Sequence, residues 1–218
     1  MRDRSAPLAA GRSALLLVDL QEAFVRRGRN FFAEPGPRWT EERLAAYFDA
    51  VERRVLPNAR ALARGFRAAG QEVLFTVIQS LTKDGRDRSL DHKLSDFHIP
   101  RGDPGGDPAA ELEPGADEIV LPKSASGVFN ATNIEYLLRN LGVTDLAICG
   151  VFTDQCVESA VRDAADRGFY VTLVGDACTG TTPQNHAHSL EAMAAYGRVR
   201  TTAEILPELA AMRPVSAA

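Results

Sequence analysis

The chain has 218 residues, 45% of them apolar and 25% charged, a globular balance that suits one domain around one sizeable core. The formal net charge is −4 with no basic run, which argues against nucleic-acid binding, because phosphate recognition wants a positive stripe. No window approaches eighteen apolar residues, so no membrane-spanning helix is expected.

Residues 1–12 read as an N-terminal tail, basic but without the apolar core of a signal peptide, ahead of a single domain over 13–218; a cytoplasmic location is expected. "SALLLVDL" (13–20) is a continuous apolar run, the pattern of a strand buried on both faces in a parallel sheet. A helical pattern fills 41–70 and ends at Gly70. "EVLFTVIQ" (72–79) predicts a second buried strand and "DEIVLPK" (117–123) a third. "NATNIEYLLRNLG" (130–142) predicts an amphipathic helix stopped by glycine. "DLAICGV" (145–151) is the fourth strand, "DQCVESAVRDAADRG" (154–168) a helix, and "YVTLVGDAC" (170–178) the fifth strand. Residues 183–197 predict a helix and 198–202 a sixth, edge strand. Strands alternating with helices define an α/β fold with right-handed crossovers. Segments 26–40 and 80–116 read as long irregular loops, of the kind that carries function.

In open α/β sheets ligands sit outside the carboxyl ends of the strands. Those ends carry Asp19, then Gln79 and Ser80, then Lys123, Cys156 and Asp176. A thiol attacks as its thiolate. In the first turn of a helix the macrodipole would favour that anion, and a lysine ammonium would lower the thiol pKa further. A carboxylate can take the thiol proton and return it to a leaving amine. The three cysteines, Cys149, Cys156 and Cys178, are too few for a disulfide framework, and none sits in a C-x-x-C pair; Cys149 and Cys178 read as structural.

"LLLVDLQEAF" with Asp19, "LPKSASGVF" with Lys123 and "ICGVFTDQCVESAVRDA" with Cys156 together resemble the isochorismatase-like cysteine hydrolases over about residues 12–202. The resemblance implies a three-layer, Rossmann-like α/β fold with a six-stranded, mainly parallel sheet, and a catalytic triad of Asp19, Lys123 and Cys156. It also implies a cis peptide at Val151–Phe152 and an oxyanion hole built from the amides of Phe152 and Cys156. Within that group the chain looks most like the biuret and triuret hydrolases, with ureidoacrylate and other N-carbamoyl amidohydrolases next. The implied activity is C–N cleavage of a small ureide through a thioester, without a cofactor. The histidines of the nicotinamidase metal site are missing from "TVIQSLTKDGRDRSL", so no metal is expected and nicotinamidase-type activity ranks lower. Cys156 argues against the isochorismate vinyl-ether hydrolases, which lack it. An idle scaffold member is the non-enzyme alternative. The resemblance also implies a homodimer or homotetramer, and the aromatic residues of 24–48 are expected to cover a neighbouring copy.

For the pocket walls the candidates are Phe24, Phe129, Phe152 and Tyr136. The amides Gln21, Gln79, Asn133, Gln155 and Gln184 suit the donor–acceptor pairing of a urea-like substrate. Arg86 or Arg88 would suit a substrate carboxylate.

Overall fold

The computed structural model describes residues 2–29, 32 and 34–212. Three positions of the expected 26–40 loop, and the domain's expected end beyond 212, lie outside the described residues. The core is a six-stranded sheet in the order β3-β2-β1-β4-β5-β6, and every neighbouring pair is parallel. Its strands are β1 (Ser13–Val18), β2 (Glu72–Ile78), β3 (Ile119–Lys123), β4 (Asp145–Val151), β5 (Tyr170–Thr179) and β6 (Arg198–Arg200). The apolar runs of β1 and β4 are buried at every position because helices cover both faces. Leu15, Leu16 and Leu17 are fully inaccessible, each a burial of about 1.5–3 kcal/mol. β3 lies at an edge and alternates in exposure along its first four residues.

The helices are α1 (Glu22–Val25), α2 (Glu41–Ala50), α3 (Leu56–Ala68), α4 (Leu90–Leu94), α5 (Val128–Ala131), α6 (Ile134–Asn140), α7 (Glu158–Asp166), α8 (Pro183–Met193) and α9 (Thr202–Ala210). α3 buries Leu56, Ala59, Leu62, Ala63 and Phe66, a stripe at helical spacing. The helical pattern of 41–70 is realised as α2 and α3 joined by a wider turn over Val51–Val55. The pattern of 130–142 divides into α5 and α6 at Thr132, whose extended backbone ends the first helix. α9 was not expected. Its start is fixed by a capping box, in which Thr201 and Glu204 satisfy each other's backbone amides.

Residues 2–12 are tied to the domain. The Arg2 guanidinium pairs with buried Asp145, the Leu8 amide donates to Glu208 at 3.0 Å, and Leu8 itself is buried. The expected loop 80–116 carries α4 and short turns, and it is fastened back to the end of β1. The Gln21 side chain donates to the carbonyls of Ile78 and Gly105 and accepts from the Ile78 amide at 2.6 Å, while Ala109 donates to Leu20. The aromatic residues between 24 and 48 turn inward: Phe24, Phe32, Trp39, Tyr47 and Phe48 are all buried and pack edge-on or tilted in one cluster. Their apolar area is spent on this chain's own core.

The strand order changes direction between β1 and β4. Crevices open at such a switch point, outside the carboxyl ends of the strands. Here the backbones approach closely: Gly150 has φ +132°, and a Cβ there would sit 2.0 Å from the Val18 carbonyl oxygen.

Candidate active site

A cavity of about 590 Å³ lies over this switch point. Asp19 enters it from the residue after β1, held in the left-handed region at φ 55° with its amide donating to Thr76. Such a conformation costs a residue with a Cβ about 1–2 kcal/mol, least for Asp and Asn. Lys123 is the last residue of β3. Cys156 lies in a wide turn over Thr153–Val157 that runs straight into α7. The Val151–Phe152 peptide is cis, and the Phe152 carbonyl accepts from the amides on either side of Cys156, those of Gln155 and Val157.

The three side chains meet in a dry spot. Lys123 Nζ is 2.9 Å from Asp19 Oδ2 and 3.4 Å from Cys156 Sγ, and all three residues are 3% exposed or less. Lys123 sends its donors to the carbonyls of Ala125 (3.1 Å) and Ser126 (3.0 Å) and to the sulfur. Asp19 Oδ1 accepts from the Thr76 hydroxyl at 3.0 Å, while Oδ2 faces the ammonium as an ion pair but has no aligned hydrogen bond among the described residues. Oδ2 is therefore buried beside both the Lys123 ammonium and the Cys156 thiol. Burial works against the Lys123 ammonium, yet Asp19 and Cys156 outweigh it and hold its pKa above the ordinary value. For the thiol the balance goes the other way. Burial pushes Cys156 up to about 12; Lys123 pulls it down and Asp19 adds to the rise. The lowering expected from the helix start and the lysine is thus outweighed by desolvation at Cys156.

Behind Cys156, fully buried Thr153 holds its hydroxyl 2.8 Å from His186 Nδ1, and burial, with Arg54, keeps His186 below its usual pKa. Asp154 ties the turn to the segment after β5, accepting from the Thr181 amide and hydroxyl and from Asn185. His92, from α4, also lines the cavity; burial first and Lys123 second lower its pKa. Among the described residues no three His, Cys, Asp or Glu side chains gather as a metal-holding cluster.

Of the wall candidates, Phe24, Phe152 and Gln155 line the cavity. The others do not. Phe129 packs on Phe169 under the Arg167 guanidinium. Asn133 is exposed at the start of α6, Gln184 is exposed on α8, and Tyr136 is 68% exposed. Gln79 packs on Gly106, where a Cβ would lie 2.1 Å from its amide nitrogen, and Gln21 is buried as the fastener of the long loop. Asp176 is drawn away to cap α9 through Thr202. Arg86 pairs with Asp84 in solvent, and Arg88 donates to the carbonyls of Gly85, His92 and Phe97. The arginines that do line the cavity are Arg38, which lies with Trp39 in the segment read as a loop, and Arg43, in the helical pattern of 41–70; all three fall in the stretch expected to cover a neighbour. No local signal marks them, since they reach the site only through the tertiary path of 34–43.

A parallel sheet with an aspartate, a lysine and a cysteine gathered at its switch point defines a hydrolase of the α/β class. The isochorismatase domain model matches residues 13–204, and the chain belongs to that family; it is an isochorismatase-family hydrolase. It is 29% identical to the ureidoacrylate amidohydrolase RutB of Serratia proteamaculans (strain 568), over 84% of this chain and 76% of that one. It is 31% identical to the isochorismatase family protein YecD of Escherichia coli O157:H7, over 93% and 98% of the two chains. The crystal structure of a cysteine hydrolase from Pseudomonas syringae pv. phaseolicola 1448A shares the fold with a TM-score of 0.76 at 24% identity, covering 96% of this chain and all of that one.

Proposed function

We propose that the chain is a cysteine-dependent amidohydrolase that cleaves a C–N bond of a small ureide and releases ammonia. The observation that carries this reading is the buried meeting of the Asp19 carboxylate and the Cys156 thiol, with Lys123 at 2.9 Å from one and 3.4 Å from the other. In the reaction, Asp19 takes the Cys156 proton as Sγ bonds to the carbamoyl carbon. The negative oxygen is met by the amides of Phe152 and Cys156; such donors are typically worth about 10²–10³-fold each. As the tetrahedral carbon collapses, the C–N bond breaks and Asp19 passes its proton to the departing nitrogen, which leaves as ammonia. Asp19 then takes a proton from water, the hydroxide adds to the thioester carbon, and the C–S bond breaks with the proton returned to sulfur. Lys123 keeps its charge throughout and offsets the negative charge as it moves between Asp19 and Cys156.

A thiol held near 12 suits this route, because proton removal is coupled to attack and needs no standing thiolate. Uncharged ureides, triuret and biuret, and carboxylated ones, ureidoacrylate and other N-carbamoyl acids, present the same carbonyl to Cys156. The likeness to the ureidoacrylate amidohydrolase supports the class. The test is ammonia release from biuret, triuret, 3-ureidoacrylate and 3-ureidopropionate by the wild-type protein and Cys156→Ala. Release that falls by roughly 10³-fold or more in the variant is expected. A variant that keeps its activity refutes the mechanism.

A further inference from the structure

The cavity lining includes an arginine whose hydrogen-bond partners are all neutral. Arg43, in the first turn of α2, donates through Nη1 to the Arg38 carbonyl at 2.6 Å and through Nη2 to the Thr181 carbonyl at 3.3 Å, with its guanidinium 5.7 Å from the Trp39 ring centre. Both partners are neutral. Its Nε is buried with no acceptor, and neither Arg43 nor Arg38 pairs with a carboxylate among the described residues.

No acid of the same cavity forms an ion pair with it among the described residues. Asp19 faces Lys123, Asp154 accepts from the neutral donors of Thr181 and Asn185, and Asp91 stands exposed at the rim. A buried N–H without a partner, on a cation without a counter-ion, is a costly arrangement that an incoming anion relieves. A planar guanidinium matches a carboxylate in shape as well as in charge, and Nη1 and Nη2 of Arg43 each keep a second N–H beyond the bonds to Arg38 and Thr181.

We infer that Arg43, with Arg38 beside it, forms a carboxylate-binding subsite, and that the substrate is a ureido or N-carbamoyl carboxylic acid. Its acid group docks on Arg43 while its carbamoyl carbonyl lies at Cys156; this rests on the amidohydrolase reading above. The rest of the lining agrees. Phe24, Trp39, Phe97, Phe152 and Ile78 give one part of the cavity apolar and aromatic walls, which suit a hydrocarbon or planar conjugated spacer, while Ser95, Ser126, Gln155, Ser159 and Asn185 line the rest. A chain of linked urea units can pair with those polar groups but brings no anion to Arg43. The inference therefore separates the two halves of the ureide class in favour of the carboxylated one.

The experiment compares 3-ureidopropionate with 3-ureidopropionamide, equal in length and differing only in charge, with biuret alongside. The wild-type protein is expected to prefer the acid in kcat/KM by roughly 10–100-fold, the range of a charge-assisted hydrogen-bonded pair. Arg43→Gln is expected to collapse that ratio, chiefly through KM, and Arg43→Lys to restore part of it. Equal use of acid and amide by the wild-type protein, or a preference for biuret, overturns the inference, as does a ratio that survives in Arg43→Gln. A second arm needs no turnover: binding of 3-ureidopropionate and its amide to Cys156→Ala and to Cys156→Ala/Arg43→Gln, measured by calorimetry. Tighter binding of the acid that depends on Arg43 supports the subsite even where no ureide is hydrolysed, an outcome that sinks the amidohydrolase reading alone. Equal binding of acid and amide overturns the subsite.

Discussion

The Asp19–Lys123 pair makes the sharpest demand on this structure. At 2.9 Å and an effective dielectric of about 20, the two charges attract by about 6 kcal/mol. Neither is reached by solvent, since Lys123 is 0% and Asp19 1% exposed, so removing one leaves the other buried and uncompensated. Such a cut typically costs about 3–5 kcal/mol. Asp19→Asn strands the ammonium, whose remaining contacts are two carbonyls and a sulfur. Lys123→Met strands the carboxylate, left among the described residues with the neutral Thr76 hydroxyl and Cys156 thiol. The double variant removes both charges and keeps the volume. It is expected to lie within about 2 kcal/mol of the wild-type protein and to recover about 3 kcal/mol or more against the sum of the single losses. Urea unfolding at pH 7 gives the three differences. Activity is lost in all three variants, so stability and function part company in the double variant. Additivity of the single losses within about 0.5 kcal/mol would refute the coupling and, with it, the view of the site as a closed charge system.

Two further outcomes follow from the same geometry. With the folded Cys156 thiol at about 12 against an ordinary 9.0, the unfolded chain gives up this proton from pH 9 upward while the folded chain keeps it; stability then falls by about 1.4 kcal/mol per pH unit on this account. Lys123, held above 10.5, adds to the loss as the pH climbs from its ordinary value toward its raised one. Thermal melts between pH 8 and 10.5 are expected to decline less steeply in Cys156→Ala than in the wild-type protein, and parallel slopes would contradict the assignment. Gly150→Ala places a Cβ 2.0 Å from the Val18 oxygen at a positive φ, for a loss of about 3 kcal/mol, or roughly 6–12 °C in a chain of this length. A calorimetric shift under about 2 °C would show that the two strands can part.

The fold and the meeting of Asp19, Lys123 and Cys156 were legible because both are written locally. Past their first residues, Ser13 and Asp145, β1 and β4 are unbroken by polar side chains, the pattern of a covered parallel sheet, and Asp19, Lys123 and Cys156 sit at or just past strand ends. The walls were not legible, because nothing in the residue types tells which side chain turns inward. Gln21 and Gln155 look alike in sequence; one fastens a loop from inside the core and the other faces the cavity. Phe24 and Phe129 both neighbour motif residues, yet only Phe24 borders the cavity. Arg43 was hidden for the same reason, and so was the burial that pushes the Cys156 thiol upward, because desolvation has no signature in a one-dimensional string.

The way the long excursion after β2 is fastened has a consequence for how this molecule can change. Gln21 bridges Ile78 and Gly105, and Leu20 and Glu22 meet Ala109 and Asp107, so the excursion leaves and returns at fixed joints beside Asp19. Its cavity residues, Asp91, His92, Ser95 and Phe97, all lie between those joints. Arg38, Trp39 and Arg43 come from a second segment, and Thr181 and Asn185 from a third. Reactivity is thus housed in the sheet and selectivity in three exchangeable inserts. Retargeting becomes a grafting problem: segments can be traded at their joints while the strand ends, and the proton path between Asp19 and Cys156, stay in place.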